Sequence, residues 1–463
     1  MLFEPFTIGS VTFKNRIVRS SLGGRTSYYD GTPGPAWHGF EQRFAETGVA
    51  GIISATIGVN ARRKSPLEYP SISEDRFIKA FRAGARTVQA RGCRYIMQIG
   101  DPGGHTQTGL FSEMADAKSS SNGFDLLYGY RNRLVAMSVD EIEQSVIEFA
   151  EAARRVREIG CDGIELTASK GYLIHQFLNP GINRRTDAYG GSDEKRFRIL
   201  ADIVTAIRKS VGRDFLFGVR LAAEDVNWLP INIRLPITWP LRHYFFGNGI
   251  AETTEHARKL ERLGVDYLHI DAGYGFPHPY VNVGRFPLEG FRLFFNSNRH
   301  LSLKAAVRAS ALNTLPGFLS RGLFGIGWNR PPGANVKYCE AFKRAVRLPI
   351  IANGGFQSQR LIEETLSSGK ADMIAMARPL LANPDLLQTF ARGEDQPAKP
   401  CTFCGECCAK TATLPLGCYD RTRFASDREM EAEILRWSAS PVDEDVSTDE
   451  AGHVARDQRS AAT

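Results

Sequence analysis

Gly163-Ile-Glu-Leu-Thr-Ala-Ser-Lys-Gly-Tyr-Leu-Ile-His-Gln-Phe-Leu-Asn-Pro-Gly-Ile-Asn-Arg-Arg-Thr-Asp-Ala-Tyr-Gly-Gly-Ser192 decides how this chain folds. An apolar run, Asp162-Gly-Ile-Glu-Leu166, passes straight into a polar loop that carries glycines. In proteins that alternate strands with helices, such junctions hold the working groups. Seven more runs read as buried parallel strands. They are Asn15 to Ser20, Gly51 to Thr56 and Arg94 to Ile99 on one side, then Phe215 to Leu221, Asp266 to Asp271, Leu348 to Asn353 and Asp372 to Ala377 on the other. Helical periodicity fills most of the gaps, as at Ser138 to Ile159, Asp193 to Val211, Ala251 to Leu263 and Ser358 to Ser368. Ser138-Val-Asp-Glu141 adds a capping-box pattern at a helix start. Eight strands alternating with helices is the count of an α/β fold, the (β/α)₈ TIM barrel, here with loop insertions over residues 1–395.

Two segments interrupt the alternation. Asn227 to Asn248 is rich in Pro, Trp and Phe and reads as an excursion over the barrel mouth; a longer one runs from Tyr274 to Ala334. Either suits a pocket wall or a contact between copies in a homo-oligomer. Beyond the barrel, residues 396–424 form a Cys-rich segment, and residues 425–463 have too few apolar side chains to pack, so disorder is expected there. The net charge of +7 is spread along the chain with no basic stripe, which argues against a nucleic-acid partner. The first residues lack the basic start and apolar run of an export signal. Nowhere do about 18 apolar residues run together. A cytoplasmic protein without a membrane partner is expected.

Each strand end can be read for what it presents. Ser20 and Ser21, Ala55 and Thr56, and Gln98 close strands one to three with small or amide groups suited to the edge of a flat heterocycle. Arg220, at the end of strand five, is placed to stabilise negative charge on a reduced ring. Asn353-Gly354-Gly355 and Ala377-Arg378-Pro379 end strands seven and eight, where this barrel usually cradles phosphate. Of the eight cysteines, Cys93, Cys161 and Cys339 lie in apolar surroundings and read as buried small hydrophobes. The other five crowd together as Cys401, Cys404, Cys407, Cys408 and Cys418. That spacing suits an iron–sulfur centre, zinc, or no metal.

Lys14 to Val18, Met97 to Ile99, Gly163 to Ser192, Gly218 to Leu221, Asp266 to His269, Ala352 to Gly355 and Ala377 to Pro384 together resemble the old yellow enzyme family of flavin-dependent reductases. The resemblance implies FMN at the barrel mouth. Ser20, Ser21 and Ala55 or Thr56 would approach its ring, Gln98 its pyrimidine edge and Arg220 its N1 side. Gly354, Gly355, Ala377 and Arg378 would hold its phosphate. It also implies NAD(P)H as co-substrate and reduction of an electron-poor alkene of a small molecule by hydride transfer through flavin N5. Where the family usually has a His and a His or Asn to hold the substrate, this chain has Thr167 and Lys170; Tyr172 stands in the place of the family's proton donor.

The cysteine cluster resembles that of the trimethylamine dehydrogenase and 2,4-dienoyl-CoA reductase branch. There a [4Fe-4S] centre relays electrons, which implies Cys401, Cys404, Cys407 and Cys418 as ligands, with Cys408 as the alternative third. Two other functions fit the residues: an amine or N-demethylating dehydrogenase that passes electrons through the cluster to an external carrier, and a non-catalytic flavin- or metal-binding protein.

Overall fold

The computed structural model describes residues 1–63, 69–106, 117–124, 133–227, 232–233, 235, 241–275, 278–300, 303–411 and 413–438. Eight parallel strands close a barrel: β1 (Ile17–Arg19), β2 (Gly51–Ile53), β3 (Arg94–Gly100), β4 (Gly163–Ala168), β5 (Leu216–Ala222), β6 (Tyr267–Asp271), β7 (Ile350–Ala352) and β8 (Met373–Met376). Neighbours in sequence are neighbours in the sheet, and β8 pairs with β1 through Ile374 and Ile17, which leaves no free edge. All eight expected strands are present. Several are shorter than their apolar runs, because the last residues of a run leave the ladder to enter the loops.

The helices between strands follow local signals. Val139–Ile159 starts at Ser138, whose hydroxyl accepts from the Glu141 N–H while Glu141 caps the Ser138 N–H, and it stops at Gly160 with φ +91°. Asp193–Val211 is capped by Ser192, whose hydroxyl accepts from the Lys195 N–H. A hairpin of Phe6–Ile8 and Val11–Phe13 packs its apolar side chains with interior residues such as Ile53, Ile96 and Tyr267, closing the barrel at the amino ends of its strands. Chemistry is left to the other end.

Inside the barrel, Gly218 of β5 faces the Tyr267 ring so closely that a Cβ there would stand 2.0 Å from it. The glycine makes room for a tyrosine whose hydroxyl reaches the barrel's polar centre.

The segment from Tyr274 to Ala334 carries three helices, Leu288–Asn298, Leu303–Thr314 and Gly317–Phe324. Leu288, Phe291 and Leu312 pack with Ala409 of the Cys-rich helix Glu406–Lys410, tying insertion and extension together. Of the excursion from Asn227 to Asn248, residues 228–231, 234 and 236–240 lie outside the described residues; a short helix forms at Arg242–Phe245.

The expected disorder from Ala425 gives way at Asp427–Ser438, which is helical. Met430, Ile434 and Trp437, spaced 4 and 3 apart, put one apolar face on helix Pro35–Glu46, where Trp437 meets Phe44 at 4.7 Å between ring centroids. A stripe of three large side chains is enough to dock a helix whose overall composition is polar. Residues 439–463 lie outside the described residues. Cys93, Cys161 and Cys339 are buried, as their surroundings suggested.

Candidate active site at the barrel mouth

One cavity occupies the carboxyl ends of the strands. Ser20, Ser21, Thr56, Gln98, Arg220, Gly354, Gly355, Ala377 and Arg378 line it, together with Lys170 and Tyr172. Two expected residues do not. Ala55 is 2% exposed in the apolar core, because adjacent residues of an extended chain face opposite ways and Thr56 is the one turned to the mouth. Thr167 does face the interior, but its short side chain ends beside Thr56 and Tyr172 around Gly100, below the cavity wall.

At the β7 and β8 end the cavity is bounded by backbone. Gly354 and Gly355 have φ of +126° and +82°, and a Cβ on Gly355 would lie 2.9 Å from Val283 Cγ1. Only glycine fits there. Among the described residues no backbone acceptor takes the N–H of Gly354, Gly355 or Ala377. Arg378 opens helix Arg378–Ala382, donates to the Val283 carbonyl at 2.9 Å and lies over the Phe403 ring. Free N–H groups, glycines a side chain would fill and a fixed guanidinium match a phosphate. The residues at this end therefore fit the phosphate of FMN.

Beneath the mouth runs a polar layer that sequence reading missed. Gln98 accepts from the Thr56 hydroxyl and donates to Glu165 Oε1 at 2.6 Å. Glu165, fully buried, also accepts from the Tyr267 hydroxyl at 3.2 Å and from His269 Nδ1 at 3.0 Å. Asn353 donates to His269 Nε2 at 3.1 Å and accepts from Asn335 at 2.8 Å. The imidazole is thus a neutral Nδ1–H tautomer, in keeping with burial lowering its pKa. Burial would raise the Glu165 carboxyl, but His269, Arg220 and Gln98 hold it below the usual range. The chain of bonds locks β3, β4, β6 and β7 in one register under the cavity floor. Its signal was present in the sequence: one polar residue in the middle of each of several apolar strands.

At the β4 end, side chains do the work. Arg220 donates to Asp271 Oδ2 through Nε at 3.1 Å and through its terminal nitrogen at 2.9 Å. Lys170 Nζ lies 3.7 Å from the same oxygen. Burial opposes ionisation of Asp271, yet these two cations hold its carboxyl below the usual range. Lys170 has φ +57° and precedes Gly171 at +73°, a left-handed pair that turns the chain back over the mouth. Its ammonium is pushed down to about 8, chiefly by burial and then by Arg220. The Tyr172 hydroxyl, pushed up to about 12 by burial, stays protonated at neutral pH.

His175, from the same loop, does not line the cavity. It accepts from the Gly171 N–H at 2.9 Å and bonds Asp225 at 2.6 Å, so it fixes the loop that carries Lys170 and Tyr172. Asp271, Tyr69 and Arg330 are the neighbours that sequence reading did not single out; the last two also line the cavity. They come from a strand end and two loops with no shared pattern.

Cys401, Cys404, Cys407 and Cys418 line a second, smaller cavity, with Arg378 in the wall between it and the mouth. Cys408 faces the mouth instead, its sulfur 4.0 Å from that of Cys407. Among the described residues no three or more His, Cys, Asp or Glu side chains converge tightly enough to hold a metal ion.

The model of the NADH:flavin oxidoreductase / NADH oxidase family matches residues 1–234 and 329–396. A metal reductase of Desulforamulus reducens is 28% identical over 412 residues, which cover 88% of this chain and 51% of that protein. A cinnamate reductase of Clostridium sporogenes is 26% identical over 421 residues, 88% of this chain and 55% of that one. The chain spans about half the length of these curated relatives. Among solved structures, a 2-naphthoyl-CoA reductase in complex with 2-naphthoyl-CoA shares the fold, with a TM-score of 0.73 at 21% identity over 95% of this chain and 58% of that one.

Proposed function

This chain belongs to the NADH:flavin oxidoreductase / NADH oxidase family, and from that premise we propose that it is an FMN-dependent oxidoreductase in which NAD(P)H drives reduction of an electron-poor alkene. The observation that carries this reading is the pairing, in one cavity, of a backbone phosphate cradle with a lysine and a tyrosine at the opposite end. FMN, when bound, supplies reversible two-electron chemistry that couples NAD(P)H oxidation to reduction of an acceptor.

Gly354, Gly355, Ala377 and Arg378 hold the phosphate; Ser20, Ser21, Thr56 and Gln98 bound the ring, and Arg220 offsets negative charge beside it. Lys170 binds the acceptor's carbonyl or carboxylate oxygen. An ammonium there withdraws electron density from the conjugated double bond more strongly than a neutral imidazole would. Tyr172, neutral across the physiological range, gives a proton to the α-carbon. Asp271 restrains both Lys170 and Arg220, so that this trio carries the net charge of one cation. The small cinnamate-type acids named for one relative have the carboxylate and conjugated alkene that such a site requires.

For the extension, residues 396–424 follow a barrel of residues 1–395 and pack against it, with Phe403 and Cys408 in the wall of the mouth. Cys401, Cys404, Cys407 and Cys418 line one cavity and would hold a [4Fe-4S] centre, which would supply one-electron transfer there. Cys408 is left to the mouth.

Anaerobic absorbance spectra provide the test. NAD(P)H bleaches the flavin, and cinnamate or a simple enone restores the colour. Bleaching by a secondary or tertiary amine, with no response to NAD(P)H, would replace this reading with the amine dehydrogenase.

A further inference from the structure

The insertion between β6 and β7 ends in a helix, Gly317–Phe324, that the described protein leaves largely uncovered. Phe318 is 73% exposed and Leu323 58%; Leu319, Phe324 and Ile326 beside them are exposed as well. No other stretch of this length among the described residues exposes as many large apolar side chains. Single exposed apolar residues are ordinary, whereas a contiguous group marks a binding surface. The insertion's own core of Leu288, Phe291 and Leu312 leaves these five outside it, and Phe324 touches its edge, stacking on Phe286. On the preceding helix, Leu303 and Val307 are also exposed, four residues apart and hence on one face. The family model matches on either side of residues 235–328, so this tip lies where the chain departs from its family.

Charge identifies what the surface meets. Residues 285–329 contain six Lys and Arg but a single acidic residue, Glu289. Arg285, Arg299, His300 and Arg321 are exposed. A symmetric contact with a second copy would bring this basic surface against itself. An anionic bilayer satisfies both halves of the pattern, since headgroup phosphates pair with the cations while Phe and Leu enter the acyl boundary.

We propose that the tip of this insertion docks the protein on an anionic lipid surface, with Phe318, Leu319, Leu323, Phe324 and Ile326 entering the interface and Arg321 at the headgroups. Docking of this kind needs no spanning helix, and none of the described helices is long and apolar enough to be one. Tyr280, Val281 and Arg330, at the roots of the same insertion, line the active-site cavity, so the docking surface and the mouth share one structural unit.

The test is co-sedimentation of the full chain with vesicles of phosphatidylcholine alone or with about one-third phosphatidylglycerol. The expected result is binding at least ~10-fold tighter to the anionic vesicles, a preference that ~0.5 M salt largely removes. Phe318→Ser combined with Leu323→Ser, checked by circular dichroism for an unchanged fold, should lose at least ~10-fold of that binding. Absence of binding to either vesicle, equal binding to both, or a folded double variant that binds as the parent does overturns the proposal. So does a dimer, seen by light scattering, that the double variant dissociates; the patch then belongs to a second copy.

Discussion

The two ends of the mouth cavity are made of different material. At β7 and β8 the wall is backbone: Gly354 and Gly355, both at positive φ, and the start of helix Arg378–Ala382. At β4 the wall is side chains on a loop: Lys170, Tyr172 and the charges that restrain them. A backbone site recognises a group common to many ligands and tolerates little change. A side-chain site can be rewritten by single substitutions without disturbing the barrel, and this is where Thr167 and Lys170 depart from the family's usual pair. On the proposed function, the cofactor end of the cavity is general and the acceptor end particular to this chain.

The largest effect expected from breaking that division is at the backbone end. Gly355→Val places a branched side chain at φ +82° and against Val283. Strain and overlap together should weaken flavin binding about 100-fold. The flavin-to-protein absorbance ratio after gel filtration reads this out; a variant that stays fully yellow would remove the cradle from Gly355. At the other end, Lys170→Ala should leave that ratio unchanged and weaken cinnamate binding about 10-fold, near the lower limit for a charge-assisted hydrogen bond because Lys170 is 28% exposed. Spectral titration of the flavin band measures it, and unchanged affinity would exclude Lys170 from the acceptor site.

The smallest effect is on pH. Because the Lys170 ammonium is pushed down to about 8, the cation that binds a carboxylate is mostly present at neutral pH and is lost as pH rises through that value. Cinnamate affinity should fall about fivefold between about pH 7 and pH 9, and the Lys170→Ala profile should be flat over the same range. A parent profile as flat as the variant's would place the titrating group elsewhere.

The polar layer under the floor shows why part of the site was hard to read. Gln98 could be assigned from its strand end, whereas Glu165 and His269 looked like isolated polar residues in apolar runs. Only pairing of the strands brings β4 against β5 and β5 against β6, so that His269 on β6 donates to Glu165 on β4 across Gly218 of β5. Thr167 illustrates the opposite case. It stands at the motif position expected to face the substrate, but its short side chain packs beside Thr56 and Tyr172 around Gly100 and does not line the cavity. Trp437 and its two apolar neighbours carried a helical stripe that an average over a polar tail concealed.

The barrel was legible in the sequence, because eight apolar runs separated by capped helices permit little else, and so were the glycines Gly354 and Gly355 at a strand terminus, because positive φ is a backbone requirement visible in the residue itself. Tertiary structure alone decided the acceptor end and the apolar tip. Whether Lys170 meets Asp271 and Arg220, which cysteines share a cavity, and whether Phe318 is covered depend on contacts between segments far apart in the chain. Burial and charge pairing are properties of those contacts, and no residue carries them on its own.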